Sequence, residues 1–258
     1  MVPRRRISVG MLQAIKRLNR AVDWNWRPTP RLDRPSYVVY GIYRQQNAAL
    51  LARLLADAPI VHLWALDSPH PLLEAHTSGV GKGSKFELLN NLVERQPPPD
   101  EHIIVFTDDD YVFTRGRLSL FVTYQAAYGF DLAQPAHTLG SHYMHHVTLA
   151  RPRLTARKTR FVEIGPVFAV APTAAGVLPF PEDAGMGWGL DLTWATVPGL
   201  SLGIVDAVTI DHLGPVGAAY DSRAASASLE RVTSSVGFPG AAEIMKTERR
   251  YWRVRRAR

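Results

Sequence analysis

The amino-acid sequence predicts an α/β fold in which a mixed, mainly parallel sheet is flanked by helices. Three observations predict it. Residues 37–43 (YVVYGIY), 47–56 (NAALLARLLA) and 60–66 (IVHLWAL) read as strand, helix and strand, the βαβ unit of a parallel sheet. Ile103, Ile104, Val105 and Phe106 form a continuous apolar run rich in β-formers, the pattern of a strand buried on both faces. That run leads directly into Asp108, Asp109 and Asp110, and open α/β sheets bind ligands beyond the carboxyl ends of their strands.

The elements follow in order. Residues 1–34 form a basic extension; 11–22 have the pattern of a short amphipathic helix, and Pro28, Pro30 and Pro35 set it apart. A single domain is expected over residues 35–250 and a basic tail over 251–258. In the first helix Asn47 is the candidate cap. Residues 68–83 are rich in Gly and Pro and read as irregular. Residues 85–94 read as a helix capped by Ser84 and ended by Pro97, Pro98 and Pro99. Residues 117–128 read as helix and 130–134 as extended. A basic stretch spans 151–160, and 161–171 (FVEIGPVFAVA) reads as strand. Residues 179–191 (PFPEDAGMGWGLD) form a Gly-rich loop, 192–197 a helical turn, and 202–210 a last strand ending at Asp211 and His212. Residues 218–250 read as partly helical.

Composition narrows the function classes. The chain of 258 residues is 46% hydrophobic and 21% charged, ordinary for a globular protein. No apolar run has the length of a membrane span, and the start shows neither a long apolar core nor a clear cleavage site. There is no cysteine, which removes disulfide, thiol and cysteine–zinc chemistry and accords with a cytoplasmic location. The net charge of +7 is concentrated at the ends, in Arg4 to Arg6 and in Arg249, Arg250, Arg253, Arg255, Arg256 and Arg258. Such ends suit peripheral contact with an anionic membrane, while no DNA- or RNA-reading motif accompanies them, so no specific nucleic-acid partner is expected. A Gly-x-Gly-x-x-Gly fingerprint and a Walker loop are both missing; GVGKGSK at 79–85 lacks the required spacing.

Three adjacent carboxylates repel one another, and a divalent cation removes that cost; hard oxygen ligands suit Mn²⁺ or Mg²⁺. In extended chain, alternate residues share a face, so Asp108 and Asp110 pair while Asp109 points elsewhere and is the more dispensable. His142, His145 and His146, with His137 nearby, would suit a transition metal if helical. No H-E-x-x-H pattern completes them, and an acceptor-side loop or plain surface is the preferred reading.

The order of these features resembles the GT-A type nucleotide-sugar glycosyltransferases, nearest to the family-two group. That family shows a lysine, a Leu-Asn pair on a helix, then an apolar strand ending in Asp-x-Asp. Here the matching residues are Lys85, Leu89 and Asn90, followed by Asp108, Asp109 and Asp110. The resemblance spans roughly residues 37–213 and implies a GT-A-like fold and metal-dependent transfer of a sugar from a UDP- or GDP-linked donor to an acceptor hydroxyl. It implies that Asp110 ligates the metal and that Asp108 contacts the metal or the ribose. Asp67, ending the second strand, would contact the base, and Arg44, Lys85 and Asp109 complete the donor side, with Lys82 an alternative to Lys85. DHLG at 211–214 resembles the late element from which many such enzymes take a histidine ligand, here His212. Gly-Trp-Gly with its acids is similar both to the WG-x-E-D element of some galactosyltransferases and to the family-two acidic element. Trp188 and Glu182 would then face the acceptor. The first comparison makes Asp191 the general base and the second Asp183, with Asp191 preferred.

Two other classes remain compatible with the sequence: an Mg²⁺-dependent nucleotidyltransferase, and a non-catalytic carbohydrate- or anion-binding protein.

Overall fold

The computed structural model describes residues 33–214 and 241–252. Their strands form one ten-stranded sheet. In chain order they are β1 (Tyr37–Tyr43), β2 (Val61–Ala65), β3 (Thr77–Val80), β4 (Ile103–Thr107), β5 (Tyr111–Arg115), β6 (Leu132–His137), β7 (Ala156–Thr159), β8 (Val167–Val170), β9 (Leu202–His212) and β10 (Thr247–Tyr251). Along the sheet the order is β10-β7-β9-β6-β8-β4-β1-β2-β3, with β5 paired to the far half of β9. β1, β2, β3, β4, β6, β9 and β10 run one way, and β5, β7 and β8 run the other. The mixed, mainly parallel α/β sheet is therefore as expected.

Five helices accompany the described strands: α1 (Ala48–Leu54), α2 (Lys85–Arg95), α3 (Leu118–Tyr128), α4 (Leu190–Trp194) and α5 (Ala241–Ile244). Alternation along the strands divides the core between the two faces of the sheet. Val39, Ile103 and Val105 pack with Leu51 of α1 and with Phe121 and Val122 of α3. Val38, Tyr40, Ile104 and Phe106 pack on the other side with Phe86, Leu89 and Leu92 of α2 and Trp194 of α4. β4 is thus buried on both faces, which is why its sequence is uninterrupted by polar residues. Phe106 stacks on Phe168 with centroids 5.2 Å apart and meets the edge of Phe180 at 5.0 Å. Burying a side chain of this size contributes roughly 2–3 kcal/mol.

α2 starts as the sequence predicts. Ser84 and Glu87 form a reciprocal capping box, satisfying two N–H groups that the first turn leaves without partners. α1 starts differently. A short 3-10 turn (Gln45–Asn47) precedes it and Asn47 makes no side-chain cap; its side chain instead bonds Asp109.

The sequence pattern misses four strands. β3 lies in the stretch read as irregular, β5 directly follows the acidic triplet, β7 lies in the basic stretch, and β10 falls where partial helix was expected. β10 also includes Tyr251, whose ring packs on Tyr128 with centroids 4.6 Å apart, so the sheet reaches into the expected tail. The strand expected over 161–171 is confined to Val167–Val170. Among the described residues no helix is long and apolar enough to cross a membrane. The expected helix at 11–22 and most of 218–250 lie outside the described residues, as do Arg4 to Arg6 and Arg253 to Arg258. Arg249 and Arg250 are exposed on β10.

Candidate functional site

β4 ends at Thr107, and the next three residues divide as alternation requires. Asp108 and Asp110 face a common space, and Asp109 turns inward. Lys85, the first residue of α2, donates from Nζ to Asp108 Oδ2 at 2.7 Å and to the Ile164 carbonyl at 3.0 Å. The capping box fixes the start of α2 and so aims this lysine. Gly165 lies close beside the pair; a Cβ there would sit 3.1 Å from Asp108 Oδ2 and 3.3 Å from Lys85 Nζ.

β5 brings Asp110 to its partner. In the antiparallel pairing of β5 with β9, Tyr111 is opposite His212, which places His212 Nε2 3.2 Å from Asp110 Oδ2. The backbone N–H of His212 donates to Ser141 Oγ at 2.8 Å, and that of Leu213 to the Asp110 carbonyl at 2.8 Å. Burial pushes Asp108 up, against the pull of Lys85. Burial would do the same to Asp110, but the hydrogen bond and charge of His212 outweigh it and hold Asp110 below the usual carboxylate range. Burial opposes the charged form of His212, yet its contact with Asp110 and the charge of Asp108 push the imidazole up.

Asp109 has a different role. It is 3% exposed and accepts the Arg44 backbone N–H at 2.6 Å, while the Arg44 guanidinium stands 3.9 Å from it. Burial pushes its carboxyl up to about 6. Asp67 ties down the next residue of the same loop, accepting the Gln45 N–H at 3.0 Å and the Ser68 N–H at 2.8 Å. These backbone hydrogen bonds, Ser68 first, hold the Asp67 carboxyl below its ordinary value. Asp109 is therefore not the dispensable member of the triplet: it anchors the loop after β1. Replacing it with Ala leaves the Arg44 N–H and the Asn47 side chain without their acceptor, a cost of roughly 2 kcal/mol. The melting temperature should fall by about 4–8 °C for a chain of this size, measurable by differential scanning calorimetry.

The Gly-rich loop closes over the start of α2. Phe86 N–H donates to the Gly185 carbonyl at 3.1 Å. Gly187 has φ of +89°, and a Cβ there would collide with the ring of Phe86, so only glycine fits. Asn90 clamps the loop's beginning, donating to the Phe180 carbonyl at 2.8 Å and accepting its N–H at 2.9 Å. Asp191 follows on α4, 9% exposed. Burial and the nearby charge of Glu163 push its carboxyl up to about 8. Trp188 is half-buried and Glu182 exposed. The side chain of Asp183, the other candidate base, lies outside the described residues. Lys82 is exposed on the loop after β3.

The raised Asp191 value carries a stability consequence. The folded state binds a proton that the unfolded chain has released, so stability falls as pH rises from the unfolded value near 3.8 towards about 8. Asp191→Asn removes that slope. The variant should match wild type near pH 4 and exceed it by a few kcal/mol near pH 8, a difference that denaturant melts across this range will read.

The donor set for a divalent cation fits in kind: two carboxylates and an imidazole. Asp110 and His212 are the pair already in contact, whereas Oδ2 of Asp108 is occupied by Lys85. Among the described residues no three histidine or acidic side chains converge closely enough to hold a metal by themselves. Further oxygen ligands would have to come from water or from a bound ligand, as is usual for Mg²⁺ sites. The histidine-rich segment forms no helix across 142–146; His142 and His146 are exposed, and the described residues show no metal cluster there either.

Two residues of the neighbourhood were not anticipated from sequence: His137, noted only within a histidine-rich stretch, and Glu163. The one local signal for Glu163 was an acid inside the apolar run FVEIG.

No family model and no curated protein matches this chain. Among solved structures it is similar to the crystal structure of GalNAc-T7 with UDP, GalNAc and Mn²⁺, with a TM-score of 0.54 and 9% sequence identity over 76% of this chain and 48% of that one. The chain thus spans about half the length of that neighbour. The likeness shows the fold: a GT-A-like α/β sheet.

Proposed function

We propose that this protein is a metal-dependent glycosyltransferase that moves a sugar from a nucleoside diphosphate to an acceptor hydroxyl. One observation carries the reading: beyond β4 and β9 of a GT-A-like sheet, Asp108 is paired with Lys85 and Asp110 with His212. The neighbour in fold was crystallised with UDP and Mn²⁺, which supports the same donor class here.

In this reading Asp110 and His212 hold Mn²⁺ or Mg²⁺. When bound there, the cation would supply Lewis-acid stabilisation of the charge that develops on the leaving diphosphate. Lys85 orients Asp108 and adds positive charge at that end of the site. Arg44 and Asp67, on loops after β1 and β2, flank the nucleotide, with Asp109 holding the first of these loops in place. Asp191 accepts the proton of the acceptor hydroxyl; the oxygen forms its bond to the anomeric carbon as the sugar–phosphate bond breaks and its electrons pass to the diphosphate. A carboxyl pushed up towards neutrality suits a general base, whose best value lies near the working pH. Trp188, set between Gly187 and Gly189, is the aromatic surface for the acceptor sugar.

Thermal melts with UDP, GDP and their triphosphates, each with and without Mn²⁺, test the proposal. Stabilisation by a diphosphate only when the metal is present is the expected result. Preference for a triphosphate would favour a nucleotidyltransferase instead, and indifference to every nucleotide would overturn both.

A further inference from the structure

The segment after β6 clasps the end of β9. Thr138 N–H donates to the Ile210 carbonyl at 3.0 Å, and His142 N–H to the His212 carbonyl at 3.2 Å. The His212 N–H donates to Ser141 Oγ at 2.8 Å. One residue further on, Leu213 N–H donates to the Asp110 carbonyl at 2.8 Å. Both backbone groups of His212 are thus tied to the histidine-rich segment, and the next N–H is tied to the acidic triplet. These bonds set the direction of the His212 Cα–Cβ bond, and with it the reach of Nε2 to Asp110 Oδ2, 3.2 Å away.

Of these bonds, the one to Ser141 depends on a hydroxyl that rotates. A hydroxyl has one hydrogen to donate and two lone pairs to accept with. Behind it lies His137, at the end of β6 and 1% exposed. Its Nδ1 is 2.7 Å from Ser141 Oγ, and its Nε2 is 3.5 Å from Oε2 of the buried Glu163. Neither Nε2 nor Oε2 has another partner among the described residues. A carboxylate oxygen facing Nε2 favours the neutral tautomer with its hydrogen there. Nδ1 is then an acceptor and takes the single hydrogen of Ser141, which leaves the oxygen's lone pairs for the His212 N–H. The bonds run in one direction: His212 N–H to Ser141, Ser141 O–H to His137, and His137 N–H towards Glu163. In the other tautomer Nδ1–H would point at Ser141, and Nε2 would face Glu163 as one buried acceptor against another.

We propose that His137 and Ser141 are positioning residues for His212: the tautomer of His137 turns the Ser141 hydroxyl, and the hydroxyl oxygen holds the His212 backbone so that the imidazole meets Asp110 at the cation site. Neither residue touches the reacting atoms. The cation site rests on the function proposed above, but the order of hydrogen bonds through His137, Ser141 and His212 does not. Partners that orient a metal ligand typically change metal affinity by about 10- to 100-fold.

Mn²⁺ titrated into the full chain with UDP present, followed by the EPR signal of the free ion, reads the effect. Ser141→Ala should bind Mn²⁺ at least about tenfold more weakly, yet melt within about 4 °C of wild type. His137→Leu should weaken binding to a similar degree. His137→Asn, whose amide oxygen can take the place of Nδ1, should recover most of the affinity, which a role in packing alone would not produce. In wild type without metal, ¹⁵N spectra of the imidazoles should show His137 with hydrogen on Nε2 and none on Nδ1. The His212 amide should exchange about tenfold faster in Ser141→Ala. A Ser141→Ala variant with wild-type Mn²⁺ affinity would overturn the proposal, as would a His137 protonated on Nδ1, or a His137→Asn variant that binds as poorly as His137→Leu. If wild type bound no Mn²⁺, the function proposed above would fall; the tautomer and the His212 amide would still decide this inference, an unchanged exchange rate overturning it. Ser141→Ala decides even if a His137 variant fails to fold.

Discussion

Asp110→Ala should lose on the order of a thousandfold in sugar transfer and show no metal-dependent stabilisation by a nucleoside diphosphate, yet melt close to wild type. The kinetic size follows from the cation's contribution, several kcal/mol of transition-state stabilisation, each 1.4 kcal/mol being about tenfold in rate. The small stability cost follows from placement. Asp110 is 34% exposed at its side chain and pairs with a half-buried His212, and partly exposed pairs of this kind hold little net energy. The backbone bond from Leu213 N–H to the Asp110 carbonyl survives the substitution. Asp109→Ala is the counterpart: it should melt lower while still responding to metal. If Asp110→Ala retained its Mn²⁺-dependent nucleotide response, this carboxylate would not be a metal ligand and the proposed donor site would be misplaced.

How much of this could be read beforehand depended on whether the signal was local. β1 is recovered with the same bounds, and β4 and α2 to within a residue, because uninterrupted apolar runs and a Ser-x-x-Glu cap are written in consecutive residues. The division of the triplet was also legible, since alternation is a property of extended chain. What Asp109 does was not. Its partners are the loop after β1, brought beside it by the parallel pairing of β1 with β4, and sequence distance hides that neighbour. β5 is short and half-exposed, and its place is set by pairing with β9. The late histidine was anticipated through a resemblance, but its contact with Asp110 depends on that unseen strand. Glu163 was missed for a related reason: its partners arrive from β6 and α4, and a single acid in an apolar run does not name them.

The basic stretch at 151–160 shows the same limit most sharply, and it carries the largest expected stability effect. Read as a charge run it suggests a solvated face, yet Arg157 on β7 is 1% exposed and Asp206 on β9 is 0% exposed. Arg157 Nε donates to Asp206 Oδ2 at 2.8 Å and a terminal nitrogen to Oδ1 at 3.1 Å. Its remaining donors reach the carbonyls of Val147 and Leu149 at 2.8 and 2.9 Å, and the Arg151 N–H completes Asp206 at 2.8 Å. Burial pushes the Asp206 carboxyl up, against the charge and hydrogen bonds of Arg157. Arg157→Ala removes four hydrogen bonds and strands a buried carboxylate, a loss of about 3–5 kcal/mol, or on the order of 10 °C in melting temperature. Removing both charges with Arg157→Met and Asp206→Leu should recover only part of this, since the Val147 and Leu149 carbonyls would still lack donors. Those two carbonyls anchor the segment that follows β6, which also carries Ser141, the acceptor of the His212 N–H. At temperatures where Arg157→Ala remains folded, amide exchange at His212 should therefore quicken along with that at Leu149. Full recovery of stability in the double variant would show that the cost of Arg157→Ala lies in the stranded Asp206 carboxylate, and that the grip of Arg157 on the segment contributes little.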